Sequence, residues 1–536
     1  MKRIKDPIYG YIDLPDELIS GIIDTAEFQR LRRIVQTSYA PLFPSALHNR
    51  FVHSLGVYHL GVLAVRSLER SMAPRLEEDE SLKDYWKQAR ETFELACLLH
   101  DVGHAPFSHT GESLYDRGKG GIDDKLREIV SDDDFSRDSQ EAKREADLAA
   151  PHEVMSALLG LRLFQDMVPI HDLFARCITG YRYSRPEKAV GRHIGNVLIG
   201  LLNSTIFDVD KLDYLIRDAY VTGFDSMHLD YNRLLQGIRV VGTKRPSLSF
   251  HKSAISVLEN VVYARDLEKR WIQAHPTTLY EQYLVEHMAR LVNERATGDE
   301  VNLFVEDALT SGGVAYAVGQ RARLLSDDDV LFFAKREFDV DEAVREYFER
   351  ASRRHPLWKS EAEFRSLFCL DAAKDKETSE VLYRAFRSLI AKLREQRMDP
   401  ILTSETLDLV NRDIEDAADG ATNSILVEWK TASSNDMAKV LKVLESFSAD
   451  HGIEFSYVLL SQSSFRSALA SEKLAKLDVV FSDETDADRY RFGDVCPSVS
   501  AQETTDDVFY LFHHKAGSKD LPKGELVKSL KEAFQD

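Results

Sequence analysis

The sequence is poor in cysteine, and its four cysteines form no CxxC pair. Cys97, Cys177, Cys369 and Cys496 are scattered along the chain. Scattered thiols argue against a disulfide framework and against a thiolate zinc site, and they are typical of a reducing compartment. We therefore expect a cytoplasmic protein.

Long apolar runs and several well-known motifs are also missing. No apolar run approaches the roughly 20 residues that cross a bilayer, and the N-terminal MKRIKDPIYGYIDLPDE has no apolar core of a signal peptide. We therefore expect no membrane partner. The motifs GxxxxGK[ST], GxSxG and HExxH do not occur, which argues against a P-loop NTPase, an α/β-hydrolase and a zincin protease.

The sequence has fewer positive than negative side chains, and its formal net charge is −20. Affinity for nucleic acid comes largely from lysine and arginine that neutralise phosphates, so we do not expect nucleic acid as a partner. A pocket for a small anion would have to be built from a few local cations.

The pattern that remains is mainly helical. At 536 residues the chain is long enough for two or more domains. Apolar residues recur at spacings of three and four through residues 16–415, which predicts helices, with a polar and acidic surface insertion at 116–150. A short hairpin is expected at 240–252. We predict a mainly α fold with a helical domain over 1–415.

The last part of the sequence differs in pattern and predicts a small α/β domain over 416–536, with a regulatory or interaction role. Strand-like segments lie at 424–430, 453–461, 477–483 and 507–515, and helical stretches lie near 435–449, 463–475 and 523–534. The strand 507–515 carries His513 and His514, whose side chains would face opposite sides of the sheet. We interpret this pair as a surface or interface feature.

The segment ELACLLHDVGHAPFSHT (94–110) places ionisable side chains in an otherwise apolar run. His100, Asp101, His104 and His109 are costly to bury unless they are paired or bind something. Their nitrogen and oxygen atoms suit Fe, Mn, Zn or Co. A second His-Asp pair, His171-Asp172, stands without such neighbours, and we interpret it as ordinary structure.

Two further segments supply similar side chains. HNRFVHSLGVYHLG places His53 on an apolar helix, and IFDVDKLDYLIRDAYVTG places Asp210, Tyr214 and Asp218 at i, i+4 and i+8. A polar row on a helix is also typical of a solvated face, so this row alone leaves both interpretations open.

Taken together, the order His … His-Asp … Asp resembles the HD-domain metal-dependent phosphohydrolases, and more narrowly their dNTP triphosphohydrolase branch. The resemblance covers about residues 4–290, including KDPIYGYIDL, IIDTAEFQRLRRIVQ, LLHDVGHAPFSHTGE and PHEVMSALL. It implies a helical HD core, a nucleotide substrate and assembly into homo-oligomers, either dimers or tetramers.

The resemblance also implies roles for individual residues. It predicts that His53, His100, Asp101 and Asp210 hold one divalent transition metal, with Mg accompanying the substrate phosphates. His104, His109 and His152 would line the phosphate pocket, with His152, oriented by Glu153, as general acid for the leaving 5′-oxygen. Glu112 stands where the family has a carboxylate. Arg50 and Lys211 would hold phosphates, Gln36, Tyr214 and Asp218 would contact the sugar, and Tyr280 would be a further substrate-binding residue.

The implied reaction is hydrolysis of a dNTP to deoxynucleoside and triphosphate. LYEQYLVEH (279–287) departs from the family. If Tyr280 matches the first tyrosine of the family motif, the second becomes Leu284, or Tyr283 after a one-residue slip, and a basic residue before the motif is absent. Ribonucleotides, monophosphates or cyclic nucleotides therefore stay open as substrates, as does a non-catalytic nucleotide sensor. Asp24, Gln29 and Arg32 match family positions that bind an allosteric nucleotide, but they would equally serve as a helix cap and a surface pair.

Overall fold

The computed structural model describes most of the chain, and its contacts divide it into two units. The residues left out are 146–147, 190, 206, 225–228, 243–244, 296–301, 318–319, 361–362, 365–374, 397, 420–424, 463–475, 481–488, 493–506, 515–520 and 535–536. Unit 1 contains residues 1–272, 288–338 and 466–503, and unit 2 contains residues 273–287, 339–465 and 504–536.

Helices dominate the described residues, as the sequence predicts. The helices are α1 Asp16–Leu18, α2 Ala26–Gln29, α3 Arg50–Glu78, α4 Glu80–Leu99, α5 Ile122–Val130, α6 Asp133–Arg144, α7 Pro151–Phe164, α8 His171–Thr179, α9 Arg192–Leu202, α10 Val209–Thr222, α11 Tyr231–Gln236, α12 Ile255–Glu268, α13 Pro276–Arg295, α14 Asp327–Glu337, α15 Glu342–Phe348, α16 Asp375–Glu395, α17 Ser404–Asp419, α18 Ile425–His451 and α19 Lys523–Glu532.

The strands are short and form small sheets. They are β1 Lys2–Asp6, β2 Gly10–Leu14, β3 Ile238–Val241, β4 Ser247–His251, β5 Val314–Ala317, β6 Gln320–Ala322, β7 His355–Pro356, β8 Ile401–Leu402, β9 Tyr457–Gln462, β10 Asp478–Val480, β11 Arg489–Arg491 and β12 Val508–His513. Strands β3 and β4 pair antiparallel, which confirms the hairpin expected at 240–252.

Unit 1 is built around α3, which packs against α4 and α10. Asn49 begins α3 by accepting a hydrogen bond from the backbone N–H of Val52, and Asp208 begins α10 in the same way through Lys211. By length and hydropathy α3 would pass for a membrane span, but 72% of its most apolar window is buried in the protein. Helix α3 is therefore a core helix of unit 1.

The predicted surface insertion contains regular structure. Residues 116–150 contain α5 and α6, and α5 buries Ile122, Leu126 and Val130 while α6 buries Phe135. These few apolar residues recur at helical spacing among many charges, so one face of each helix is buried although the composition is polar. Most of the other described residues of the segment are exposed or half-buried, as a surface segment requires.

Unit 2 combines helices with a sheet of order β7-β12-β9-β8. Its core contains Tyr457, Phe509 and Leu511 from the sheet and Leu389 and Leu441 from helices α16 and α18. The predicted strands at 453–461 and 507–515 correspond to β9 and β12, and the predicted helix at 523–534 corresponds to α19. The two strands and the helix are confirmed, and all three belong to unit 2.

Other expectations for the C-terminal part differ from the structure. Residues 425–430 belong to helix α18, so the predicted strand at 424–430 was wrong, because a short apolar run fits a strand and a buried helix equally. Within 477–483, β10 joins the unit 1 sheet β11-β10-β4-β3. The expected boundary at 416 falls inside α17. The predicted helix at 463–475 lies outside the described residues.

Candidate active site

Four donor side chains from three parts of unit 1 converge. They are His53 on α3, His100 and Asp101 directly after α4, and Asp210 in the first turn of α10. His53 Nε2 lies 3.0 Å from Asp210 Oδ1 and 3.3 Å from His100 Nε2. Asp101 completes the group, with Oδ1 3.4 Å from His100 Nε2 and Oδ2 3.6 Å from His53 Nε2.

These donors fit a divalent transition metal. Two imidazole nitrogens with two carboxylates form a mixed set that suits Fe, Mn, Zn or Co. Donors that bind one ion at about 2.1 Å lie about 3 Å from one another, and the separations of His53, His100 and Asp210 are of that size. The residues present could therefore hold such an ion.

The charges around the donors favour a cation. Burial raises the pKa of Asp210, but hydrogen bonds from His100 and His53 hold it well below its usual range. Burial also raises the pKa of Asp101, but the charges of Arg50 and His100 outweigh burial and hold this pKa well below its usual value. Burial lowers the pKa of His53, yet the surrounding carboxylates raise it to about 10. Carboxylates that stabilise a proton on His53 would also stabilise a divalent ion.

A second cluster surrounds the carboxylate of Glu112. Its Oε1 lies 3.0 Å from His104 Nδ1 and 3.0 Å from His109 Nδ1, and its Oε2 lies 2.9 Å from His152 Nδ1. The rings of His104 and His152 stack with centroids 4.1 Å apart. His104 Nε2 also lies 3.0 Å from Asp101 Oδ1, so this cluster adjoins the metal-ligand group.

Two histidines of the second cluster, His104 and His152, differ strongly in pKa. Burial lowers the pKa of His152, but the charge and hydrogen bond of Glu112 raise it to about 9. Burial, Arg50 and His152 lower the pKa of His104 to about 3. Glu112 itself is held well below its usual pKa, because His152 and His104 outweigh the effect of burial. At neutral pH the cluster thus keeps its proton on His152.

Glu153 does not orient His152, contrary to the sequence-based expectation. Its Oε2 accepts from the backbone N–H of Ala150 at 2.6 Å, and its Oε1 accepts from Asn203 Nδ2 at 2.8 Å. Consecutive helix residues point about 100° apart, so Glu153 secures the start of α7 while Glu112 reaches His152.

The turn between the two clusters has an unusual backbone. Phe107 and Ser108 have φ values of 58° and 56°, in the left-handed region that non-glycine residues rarely adopt. Asp327 holds the turn by accepting from the backbone N–H of Phe107 at 2.6 Å. The guanidinium of Arg30 donates to the carbonyls of residues 102 and 104 at 2.7 and 2.9 Å. These contacts fix His104 and His109 around Glu112.

The two predicted phosphate-binding cations lie in the same unit. Arg50 Nη1 lies 2.9 Å from Asp101 Oδ2, and Arg50 Nε donates to Ser108 Oγ at 2.9 Å. Lys211 Nζ donates to Asp208 Oδ2 at 2.7 Å, directly beside Asp210. Arg50 contacts the metal-ligand group, and Lys211 follows a ligand in sequence.

Three of the predicted sugar contacts also belong to unit 1. Gln36 is buried, and its Oε1 has no hydrogen-bond partner among the described residues. Tyr214 lies one turn after Asp210 on α10, and burial raises its pKa well above the usual value. Asp218 is buried one turn further on, where its Oδ1 lies 2.8 Å from His48 Nε2.

Tyr280 is not among these residues. It belongs to unit 2, where it is 1% exposed, its hydroxyl hydrogen-bonds Glu346, and its ring stacks on Phe512 with centroids 4.6 Å apart. Leu284 and Tyr283 of the same helix are part of that core. The ring and hydroxyl of Tyr280 are thus engaged in packing within unit 2, and its role in substrate binding stays a prediction.

The expected allosteric positions engage one another. Gln29 Nε2 donates to the carbonyl of Ile23 at 2.6 Å, and Arg32 Nε donates to Gln29 Oε1 at 2.8 Å. The Arg32 guanidinium lies over the ring of Phe51 at 3.6 Å. The helix cap at this point is Thr25 and not Asp24. Both interpretations of Gln29 and Arg32 stay open.

Two residues of the site were missed from the sequence. His48 faces Asp218, and Asp213 accepts from His53 Nδ1 at 2.7 Å. Asp213 stands four positions before Arg217, a spacing at which opposite charges pair on a helix. That spacing was a usable signal, whereas the contact of His48 with Asp218 depends on tertiary structure.

Comparison with known proteins agrees with this geometry. Residues 50–159 match the family model of the HD domain. This part of the chain is an HD domain. The matched segment includes three of the four converging donors, and Asp210 lies beyond it.

Curated relatives extend the likeness beyond the HD domain. The uncharacterized protein YwfO of Bacillus subtilis is 30% identical over 279 residues, covering 52% of each chain. The deoxynucleoside triphosphate triphosphohydrolase SAMHD1 of Danio rerio is 31% identical over 300 residues, covering 53% of this chain and 44% of that protein. The chain thus spans about half the length of the curated relatives it matches.

A solved structure supports the fold over the whole chain. The crystal structure of a hypothetical protein from Aquifex aeolicus aligns with 99% of each chain at a TM-score of 0.53 and 18% sequence identity. This likeness concerns the fold alone.

Proposed function

We propose that the protein is a metal-dependent phosphohydrolase that converts a dNTP to deoxynucleoside and triphosphate. The convergence of Asp101 and Asp210 on His53 and His100, each within 3.6 Å of both imidazoles, carries the proposal, together with the adjoining His152–Glu112 pair. The similarity to SAMHD1 proteins, which are named deoxynucleoside triphosphate triphosphohydrolases, supports it.

The chain's own groups suit this reaction. A bound divalent ion, one Fe, Mn, Zn or Co per site, supplies Lewis acidity and lowers the pKa of water. His152 holds a proton at neutral pH, and because Glu112 accepts from Nδ1, Nε2 is the atom left to protonate the leaving 5′-oxygen. His104, with its low pKa, stays neutral beside it.

Substrate binding is proposed from charge and hydrogen-bonding capacity. Arg50 and Lys211 would share their positive charge with the phosphates, together with Mg that accompanies them, in a chain that is otherwise acidic. Gln36, Tyr214 and Asp218 would take the sugar, since Gln36 Oε1 is buried without a hydrogen-bond partner in the described part of the chain. We further propose a homo-oligomer, a dimer or a tetramer, with an allosteric nucleotide as a second ligand.

A second candidate keeps the site and changes the substrate. In the family a second tyrosine helps to reject a 2′-hydroxyl, and on the register of Tyr280 that position is Leu284 in this sequence. Leu284 is a buried residue of the unit 2 core. This observation favours testing ribonucleotides, monophosphates and cyclic nucleotides alongside the dNTPs.

The test is incubation with a panel of these nucleotides and Mn²⁺, with products separated by chromatography. Inorganic triphosphate with deoxynucleoside supports the proposal, and orthophosphate or a nucleoside monophosphate supports the second candidate. Tight binding without turnover across several metals would instead indicate a nucleotide sensor. The control is His171→Ala, since His171-Asp172 repeats the same dipeptide on α8, where His171 is exposed.

A further inference from the structure

The face of His53 that is turned away from the other donors has a partner of its own. His53 Nδ1 donates to Asp213 Oδ2 at 2.7 Å, and both side chains are fully buried. A proton held on Nδ1 leaves the lone pair of Nε2 directed at Asp210 and His100. An imidazole has one lone pair when neutral, so this hydrogen bond decides which nitrogen can bind an ion.

Asp213 also accepts hydrogen bonds from two residues other than His53, namely Arg217 and Tyr9. Arg217 donates to it through Nε at 2.9 Å and Nη2 at 3.0 Å, and the hydroxyl of Tyr9 donates to its Oδ1 at 2.7 Å. Arg217, Tyr9 and His53 each present a donor to Asp213. A carboxylate accepts hydrogen bonds and donates none, so it suits all of these contacts.

The N-terminal hairpin of β1 and β2 completes the network. Asp6 Oδ2 lies 3.0 Å from Arg217 Nη1, and Asp6 Oδ1 accepts from the backbone N–H of Ile8 and Tyr9 at 2.8 and 3.1 Å. Asp6 and Arg217 are both buried. The chain Asp6–Arg217–Asp213–His53 thus joins the hairpin to the metal-ligand group.

The backbone of α3 is shaped to admit this carboxylate. A Cβ at Gly56, three residues after His53, would lie 1.9 Å from Asp213 Oδ1 and 2.5 Å from Arg217 Nη2. Any residue larger than glycine at this position would displace Asp213 from His53. The glycine is required here by close approach and not by a turn.

We propose that Asp213 is a positioning residue that fixes the tautomer of His53 and thereby sets the affinity of the metal site, with Arg217, Tyr9 and Gly56 holding it in place. The inference rests on the proposed metal site, of which His53 is one ligand. It concerns ion binding and not turnover, so it is tested apart from the hydrolysis reaction.

The test is Asp213→Asn, with Co²⁺ titrated into the full-length apo-protein and followed by its d–d absorption. The asparagine NH₂ group must face either His53 or Arg217, both of which are donors, so one contact is always mismatched. Where it faces His53, the imidazole proton moves to Nε2, into the ligand group. Loss of such outer partners weakens metal binding by about 10–100-fold, and we expect a loss in this range with an altered Co²⁺ spectrum.

The matched control is Asp138→Asn. Asp138 is also a buried carboxylate of unit 1, and it is held by Arg176, Arg137 and Ser184. Both variants remove a buried charge beside an arginine, so both should lower the thermal stability of the apo-protein. A merely structural role would give both the same Co²⁺ affinity, whereas the proposal predicts the loss for Asp213→Asn alone.

A second pair of variants covers the case in which Asp213→Asn does not fold. Tyr9→Phe removes one hydrogen bond from Asp213 and keeps the ring, and should weaken Co²⁺ binding less than Asp213→Asn. Gly56→Ala should weaken it through displacement of the carboxylate. Its control is Gly61→Ala on the same helix, where a Cβ would lie 2.6 Å from Cys97 Sγ.

The outcomes distinguish the positioning role of Asp213 from the metal site and from the proposed hydrolase function. Unchanged affinity and spectrum in Asp213→Asn, or in both Tyr9→Phe and Gly56→Ala, would overturn the positioning role and leave the hydrolase proposal standing. Absence of stoichiometric Co²⁺ binding by the wild type would overturn the metal site, and both proposals with it. Co²⁺ binding without nucleotide hydrolysis would overturn the function alone.

Discussion

Units 1 and 2 each bring histidine and carboxylate groups within metal-binding distance, but they use them differently. In unit 2 the group is Glu342, Glu346 and His514. Arg354 pairs with both glutamates, and Tyr280 hydrogen-bonds Glu346. The pKa of Glu342 is lowered to about 2, chiefly by its hydrogen bond with His514 and the charge of Arg354, against the effect of burial. Both glutamates of this group are therefore already paired with an arginine.

In unit 1 the partners of Asp210 are imidazole rings, and Arg50 touches one oxygen of Asp101. The outer nitrogen of His53 is taken by Asp213. Proximity of donors is thus common to both units, whereas in unit 1 the carboxylate of Asp210 is paired with imidazoles and not with an arginine. We expect metal binding in unit 1 and a structural ion-pair network in unit 2.

Removal of a predicted ligand should have the largest effect. His100→Ala removes a donor and should lower both metal content and nucleotide hydrolysis by more than about 100-fold, beyond the range typical of outer partners. His514→Ala in unit 2 should leave metal content unchanged. Metal content measured by mass spectrometry on both variants decides the point, and equal losses would contradict the distinction between the units.

Disruption of the second cluster should have the next largest effect. Glu112→Gln removes the charge that keeps the proton on His152, and should lower kcat by about 100-fold with a smaller change in KM. Glu153→Gln should cost about 1 kcal/mol of stability through the start of α7 and change kcat much less. Steady-state kinetics with thermal unfolding checks both variants, and a larger kcat loss for Glu153→Gln would reverse their assigned roles.

Metal removal should affect stability to a moderate degree. An ion at 100 times its Kd stabilises the folded state by about 2.7 kcal/mol. Chelation should therefore lower the melting temperature of the wild type, and Glu342→Gln should show the same decrease. A wild-type melting temperature that is insensitive to chelator would contradict an ion bound through the unit 1 donors.

Stability of unit 2 should depend on alkaline pH through His287. Burial lowers the pKa of His287, but hydrogen bonds with Asp341 and Asp399 raise it from 6.5 to about 9. Its stabilising contribution is complete below pH 6.5 and is lost as pH rises through 9, and it corresponds to about 3 kcal/mol at most.

This pH dependence is measured by urea unfolding at pH 6 and pH 10. His287→Gln should remove most of the difference between the two values, whereas His451→Gln, whose ring lies 3.7 Å from Glu525, serves as the control. A wild-type difference that persists in His287→Gln would assign it to other groups.

Much of the fold could be predicted from the sequence. The predictions that failed did so for local reasons. The helices α3 and α10 follow from apolar periodicity and from Asn49 and Asp208 as caps. The helices α5 and α6 within the surface segment 116–150 were not predicted, because its polar composition hides a narrow apolar face on each. The strand predicted at 424–430 was wrong because a short run of apolar and aromatic residues has no decisive period.

The candidate site, too, could be predicted only in part. His53, His100, Asp101 and Asp210 were proposed together because their order resembles a known family, and the structure brings them together. The contact of Glu112 with His152, and not Glu153, needed the path of the turn through Phe107. The burial of Tyr280 needed the packing of unit 2, which no motif encodes.

The most direct test of the account is a crystal structure of the Mn²⁺-loaded protein with anomalous scattering. The account predicts one strong peak within about 2.3 Å of donor atoms from His53, His100, Asp101 and Asp210. A peak among Glu342, Glu346 and His514, or no peak at the four unit 1 donors, would contradict it.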